Sequence, residues 1–334
     1  MSAAYTVPVP VFVVGMNGSG TTMLLDCLGR HPDLYAFPRE TRLIPYLMAR
    51  LESYGSLDVD DNFQRLWDDV RHLAVFRQTN MDTPVPLPDG WRGHPRTLAA
   101  ILDAVFGHFA AREGKRRWCE KTPQHVQHLP ELAQNFPAAR FIHVIRDGRD
   151  CAASFHRRWK RQPELTIFRW KKVVTLGREQ GQRLGDARYL EIRYEDLTAE
   201  PEASLRRISR FLELPFDEAM LESSRPYLRA DADGGARSLQ RNSGNWQHSF
   251  SGRTQDRLER IAGRTLAECG YATRHPTCNT DPSGLRRRYW AVMDIRRQYT
   301  REIKLKLSGE IQRPWRVILL KPLTALRQRQ HNEY

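Results

Sequence analysis

The sequence predicts an α/β fold, a P-loop-like parallel sheet flanked by helices, with a helical, basic C-terminal extension. Three observations carry this. Val11, Phe12, Val13 and Val14 form an apolar run with β-branched bias, as in a strand buried on both faces, and it leads straight into Gly15, Gly18 and Gly20. Similar runs at Arg140–Ile145 and at 188–192 alternate with segments of helical spacing, the pattern of a mainly parallel sheet covered by crossover helices. Most of the net charge of +14 falls within 285–334, where Lys and Arg far outnumber Asp294, Glu302, Glu310 and Glu333.

The first element, 11–22, reads VFVVGMNGSGTT and opens a helical stretch, MLLDCLGRH. Strand, glycine loop and helix together aim backbone N–H groups and a helix N-terminus at one phosphate or sulfate. Gly15, Gly20 and Thr22 match the nucleoside-triphosphate loop G-x-x-x-x-G-K-[ST], but Thr21 stands where that loop has its lysine. Without that charge a kinase or ATPase is disfavoured, while Ser19, Thr21 and Thr22 can still serve an oxyanion. A glycine-rich turn without a ligand is the plainer alternative.

A short strand at 34–37 follows, closed by Pro38, then Arg39-Glu40-Thr41-Arg42 and a helix at 43–51. Glu40 is placed either to enter the cleft beside the loop or to favour a helix dipole as an N-terminal acid. Helices are predicted at 62–77 (Phe63, Leu66, Trp67, Val70, Leu73 and Ala74 on one face) and at 97–111, around a Pro- and Gly-rich loop at 79–95. This block, 43–117, reads as a helical insertion shaping acceptor recognition.

The core resumes with WCEKTP at 118–123, a short strand and turn, then a helix through Gln134. The strand Arg140–Ile145 ends in RDGRD at 146–150, and 151–161 continues as a helix containing Ser154. Arg146, Arg149 and Ser154 can reach one phosphate; a surface ion-pair cluster is the alternative. The strand at 188–192 ends in Arg193-Tyr194-Glu195-Asp196-Leu197, with a helix at Pro201–Leu212. A polar loop at 239–249 carries Arg241, Gly244 and Trp246, and the last core helix, 254–269, is capped by Gly270. Ligands lie at the carboxyl ends of such strands, so the glycine loop, Arg146 and Tyr194 are expected to face one crevice.

Composition narrows the class. Cys27, Cys119, Cys151, Cys269 and Cys278 are odd in number and form no CxxC pair, which fits reduced cytoplasmic thiols and neither a disulfide frame nor a zinc site. No basic region precedes the first apolar run, as a signal peptide would require, and no stretch is apolar enough to cross a bilayer. No nucleic-acid-reading motif accompanies the basic charge.

Four of these stretches, in order across about 11–271, resemble the sulfotransferases that use 3′-phosphoadenosine 5′-phosphosulfate (PAPS). GSGTT at 18–22 resembles the family's 5′-phosphosulfate loop, and RDGRDCAAS at 146–154 its 3′-phosphate motif. RYEDL at 193–197 resembles the segment whose tyrosine lies against adenine, and SGNW at 243–246 the loop that closes over the donor. RETRLIP at 39–45 and EKTP at 120–123 are similar to the branch that includes tyrosylprotein sulfotransferases and bacterial enzymes.

The resemblance implies PAPS as donor co-substrate, no metal, and sulfuryl transfer to a hydroxyl or amine of a small molecule, glycan or lipid. It implies Glu40 as base and Lys121 as stabiliser of the sulfuryl or bridging oxygens. Gly18, Ser19, Gly20, Thr21 and Thr22 would hold the phosphosulfate; Arg146, Ser154 and Arg241 the 3′-phosphate; and Tyr194 would pack near adenine. Cytosolic relatives place a histidine base where this chain has Pro123, leaving His125 as reserve candidate. Gly18 stands where the branch has arginine. A kinase-like P-loop enzyme and a PAPS-binding protein without turnover stay open. On this reading 1–280 is the sulfotransferase-like domain and 281–334 the extension.

In the extension, Tyr289, Trp290, Val292, Met293, Ile295, Tyr299 and Ile303 recur at helical spacing among basic residues, and 315–326 is a shorter apolar segment broken by Pro322. Packing on the core, a homodimer contact, and peripheral contact with an anionic membrane are the three readings.

Overall fold

Val11–Val14 enters the sheet with both faces to cover, and the computed structural model, which describes residues 9–73, 75, 85–222 and 243–307, covers both. The chain divides into two compact units, Met1–Arg146 with Val173–Asn242, and Asp147–Lys172 with Ser243–Tyr334.

The first unit holds the sheet. Its strands are β1 (Val11–Gly15), β2 (Leu34–Ala36), β3 (Arg117–Lys121), β4 (Arg140–Ile145) and β5 (Tyr189–Arg193), in the order β2-β3-β1-β4-β5. Each adjacent pair is parallel, with Val13 opposite Lys121, Gly15 opposite Val144 and Ile145 opposite Arg193. The order reverses at β1, so the segments leaving β1 and its neighbours open at a topological switch point.

Alternation along β1 sorts its side chains between two cores. Phe12 and Val14 join Phe37, Phe106, Trp118, Phe136 and Phe141, while Val11 and Val13 join Leu24, Leu28, Ile142, Ile192 and Ile208. Each such side chain, fully buried, contributes about 1.5–3 kcal/mol. The first core is roofed by α2 (Leu43–Met48), α3 (Asp60–Arg71) and α4 (Leu98–Arg112), so the predicted insertion builds half the core. The second rests on α1 (Thr21–Gly29) and, after α5 (Leu129–Asn135), on residues of later helices. Lys115 Nζ donates to the carbonyls of Gly29, His31 and Leu34 at 2.6, 3.1 and 3.0 Å, pinning the turn from α1 into β2 with a charge suited to the helix C-terminus.

The remaining helices are α6 (Gly148–Trp159), α7 (Pro163–Leu184), α8 (Tyr194–Ala199), α9 (Pro201–Leu212), α10 (Trp246–Ser249), α11 (Gly252–Glu268) and α12 (Gly284–Leu307). The sequence reading places no element at α7. It also runs α3 on to 77, whereas the helix starts at Asp60, where Asp60 and Asp61 suit the dipole, and ends at Arg71.

In the second unit, Arg149 is nearly closed off from solvent between Asp147 and Glu259, at 2.7 Å each, with its guanidinium 4.0 Å from the Trp246 ring centroid. This cluster is buried, not the surface ion-pair cluster that the sequence offered as the alternative. Asp150 accepts from the N–H groups of Gly244 and Trp246 at 2.7 and 3.0 Å. On α12, Asp294 is buried and accepts from Gln162 N at 2.7 Å. Cys27, Cys119, Cys151 and Cys269 are buried and Cys278 half-buried. The apolar segment at 315–326 lies outside the described residues.

Candidate active site

Three chain segments leaving neighbouring strands meet within the first unit. The loop after β1 turns through a hydrogen bond from Ser19 N to Met16 O, 3.0 Å, and reaches Gly20, the N-cap of α1, at φ +99°. No side chain caps this helix, so the N–H groups of its first turn have neither an intrahelical nor a side-chain cap partner. A Cβ on Gly20 would run into the Tyr194 ring. Arg146, immediately after β4, donates from Nη1 to Gly18 O at 3.0 Å and sets its guanidinium 4.5 Å from the Tyr194 ring centroid. Tyr194, immediately after β5, is buried.

Glycine loop, arginine and tyrosine therefore touch one another, as expected for segments leaving β1, β4 and β5. Within the loop, Gly18 is at φ +87°, Thr21 is buried and Thr22 half-buried. Ser19 Oγ is buried beside Gly15, so this residue's hydroxyl is tucked behind the loop.

A second group forms at the carboxyl end of β3, next to β1. Lys121 Nζ donates to Glu40 Oε1 at 3.0 Å, and Arg42 Nη2 to Glu40 Oε2 at 3.0 Å. The lysine is nearly buried, with 7% of its side chain exposed, and the glutamate keeps 26%, so the carboxylate is open on one side. Burial pushes the Glu40 carboxyl up, but the Lys121 ammonium and then Arg42 outweigh it and hold the group below the usual range.

Beneath this pair lies Glu120, which sequence reasoning missed as a site residue. Its Oε1 accepts from Thr41 N, Thr41 Oγ1 and Thr122 Oγ1 at 3.2, 2.9 and 2.5 Å, and Oε2 lies 3.1 Å from His125 Nδ1. Burial pushes this carboxyl up as well; His125 and the hydroxyl donors more than offset it. His125, the reserve base, is buried against Glu120. The only sequence signal was the recurrence of charged residues directly beside hydroxyl residues in RETR and EKTP, which does not reveal a pairing across 79 positions.

Ser154 lies buried on α6 in the second unit, and Arg241 falls outside the described residues. The residues present in the first unit fit an anionic nucleotide. An uncapped helix N-terminus faces one way out of the loop, and a cation bound to the loop carbonyl lies across an aromatic ring.

The pattern of the Sulfotransferase family matches residues 10–218. Protein-tyrosine sulfotransferase A of Caenorhabditis elegans is 25% identical over 223 residues, covering 63% of this chain and 51% of that one. Protein-tyrosine sulfotransferase 1 of Danio rerio is 27% identical over 221 residues, covering 63% and 55%. Nodulation protein NoeE of Sinorhizobium fredii is 25% identical over 301 residues, covering 79% and 66%. The chain spans about half the length of the protein-tyrosine sulfotransferases it matches. Among solved structures, the sulfotransferase domain of the Synechococcus PCC 7002 olefin synthase aligns with a TM-score of 0.44 at 22% identity, covering 94% of this chain and 99% of that one.

Proposed function

The chain belongs to the sulfotransferase family, and from that premise we propose that it transfers a sulfuryl group from PAPS to a hydroxyl or amine, in line, with Glu40 as base. The observation that carries this reading is the meeting of the glycine loop, Arg146 and Tyr194, with the Glu40–Lys121 pair at the end of the adjacent strand.

PAPS, when bound, supplies an activated sulfuryl group with PAP (3′-phosphoadenosine 5′-phosphate) as the departing half. The N–H groups at the start of α1, with Gly18, Gly20, Thr21 and Thr22, hold its 5′ end; Ser19 contributes by shaping the loop. Arg146 holds the 3′-phosphate and Tyr194 packs beside the base. Ser154 and Arg241 join them on the strength of the motif resemblance. Glu40, kept ionised by Lys121 and Arg42, takes the acceptor proton, a contribution of roughly a hundred- to ten-thousand-fold. Lys121 bears on the charge that builds on the sulfuryl oxygens, where fixed positive charge counts most. Gly18 supplies no side chain for this task, which leaves it to the backbone N–H groups and Lys121.

Calorimetric titration with PAP, with AMP as control, tests the donor site. Tight PAP binding that is weak for AMP and lost in Arg146→Ala is the expected result; equal affinity for both nucleotides refutes the reading. A panel of phenols, glycans, lipids and tyrosyl peptides, the last prompted by the relatives' names, then identifies the acceptor through PAP release.

Membrane contact is proposed for α12 alone. Leu285, Tyr289 and Val292 are exposed at 81%, 63% and 56% on an arginine-rich helix, the composition of an interfacial helix. No helix among the described residues is long and apolar enough to cross a membrane. Flotation with phosphatidylglycerol vesicles, abolished by Leu285→Asp with Val292→Asp, is the expected outcome. Absence of flotation by the native chain removes the proposal.

A further inference from the structure

The segment carrying Glu40 is gripped at three successive residues by three successive residues of the β3 terminus. Glu40 is held by Lys121, Thr41 by Glu120 through both its N–H and its hydroxyl, and Arg42 by Thr122, whose Oγ1 accepts from Arg42 N at 3.2 Å. Thr122 Oγ1 in turn donates its hydrogen bond to Glu120, so the grips on Thr41 and Arg42 share one buried carboxylate. Arg42 sits at φ +54°, a left-handed conformation rare for a residue with a long side chain. Such a conformation persists only where the surroundings over-determine it. Here the surroundings are Thr122 on the backbone and Glu120 on the preceding residue.

Glu120 is fully buried, and burying an ionised carboxylate is costly unless donors surround it. Its neighbour Lys121 points to the opposite side of the strand, as successive strand residues do. One strand end thus contributes a hidden charge that fixes the backbone and a visible one that meets Glu40. A carboxylate placed only for stability would not need to hold the backbone N–H of the residue adjoining the base.

We propose that Glu120 is a positioning residue for sulfuryl transfer, its buried carboxylate fixing Thr41 so that Glu40 stands at the transfer point against Lys121. This rests on the reading of Glu40 as base. A misplacement of about 1 Å at a reacting group costs on the order of a hundred-fold in rate, which sets the size of the effect.

Glu120→Gln keeps the shape and removes the charge; Thr41→Val removes one donor and keeps the N–H, and guards against a Glu120 variant that fails to fold. Expected for Glu120→Gln is a fall in kcat of about a hundred-fold, with PAP affinity and the KM for PAPS unchanged. Hydrogen exchange at the Thr41 and Arg42 amides rises at the same time. Thr41→Val moves kcat in the same direction by less. Turnover is read as PAP release from PAPS with the best acceptor of the panel. Native kcat in both variants overturns the proposal, and so does a loss shared equally by kcat, PAP affinity and amide protection throughout the chain, which marks a core residue only. A native chain that binds no PAP, or releases none from PAPS, defeats the parent reading instead.

Discussion

At Glu40, burial and charge pull in opposite directions, and charge wins. Because its folded pKa is depressed, the pairing with Lys121 and Arg42 contributes stability above the unfolded carboxyl value and loses it as pH falls through the folded one. The base form is therefore populated at neutral pH, and turnover declines on the acid side as Glu40 is protonated. Lys121→Met removes the largest force lowering the pKa, so the acid limb of the pH–rate profile moves to higher pH. An unmoved limb means that Glu40 is not the group titrating. Glu40→Gln lowers kcat by roughly a hundred- to ten-thousand-fold and leaves PAP binding intact in calorimetry. At Gly20 a side chain meets both the Tyr194 ring and a left-handed backbone, so Gly20→Ala costs about 1–3 kcal/mol in thermal unfolding and weakens PAP binding. Gly18, at φ +87°, carries the same backbone penalty, so replacing it with the branch's arginine strains this loop as it stands.

Elements differed in how far they could be read from sequence, for physical reasons. β1 and β4 were legible because a strand buried on both faces is a continuous apolar run, and both begin and end within a residue of the reading. α7 was not legible. It spans 22 residues, yet it mixes charges into its apolar face and carries Gly177 and Gly181 where a helix is weakened. The fold explains the glycines: a Cβ at 177 would meet Val126 and His143, and one at 181 the Tyr189 ring. Gly181→Ala therefore destabilises by about 1–3 kcal/mol, measured by denaturant unfolding, where an ordinary helical position would gain from the change. Tyr189 OH lies 2.6 Å from His143 Nδ1, and burial, with the Arg178 charge behind it, pushes that ring down to about 3, so the imidazole in this contact is neutral across the physiological range. The loop, Arg146 and Tyr194 were legible as motifs because each is local. The bond from Thr41 to Glu120 was not, since only the pairing of β2 with β3 brings 41 and 120 together.

Across the whole molecule, the family match ends at 218, before the second unit's later helices and the basic tail. The charge that made the tail conspicuous in sequence is present on α12, with apolar side chains facing solvent beside it. The five cysteines, first read as a clue to redox state, have a practical consequence. Four are buried, and burial above all pushes the Cys27 thiol up to about 12 and Cys119 higher still, so neither forms the thiolate that alkylating reagents attack. Cys278 is the accessible thiol of the set. Native chain treated briefly with iodoacetamide therefore gains one label in its intact mass, and chain in denaturant gains five. The molecule carries its own counter of opening: peptide mapping of a chain caught with two or three labels reports which region came apart first.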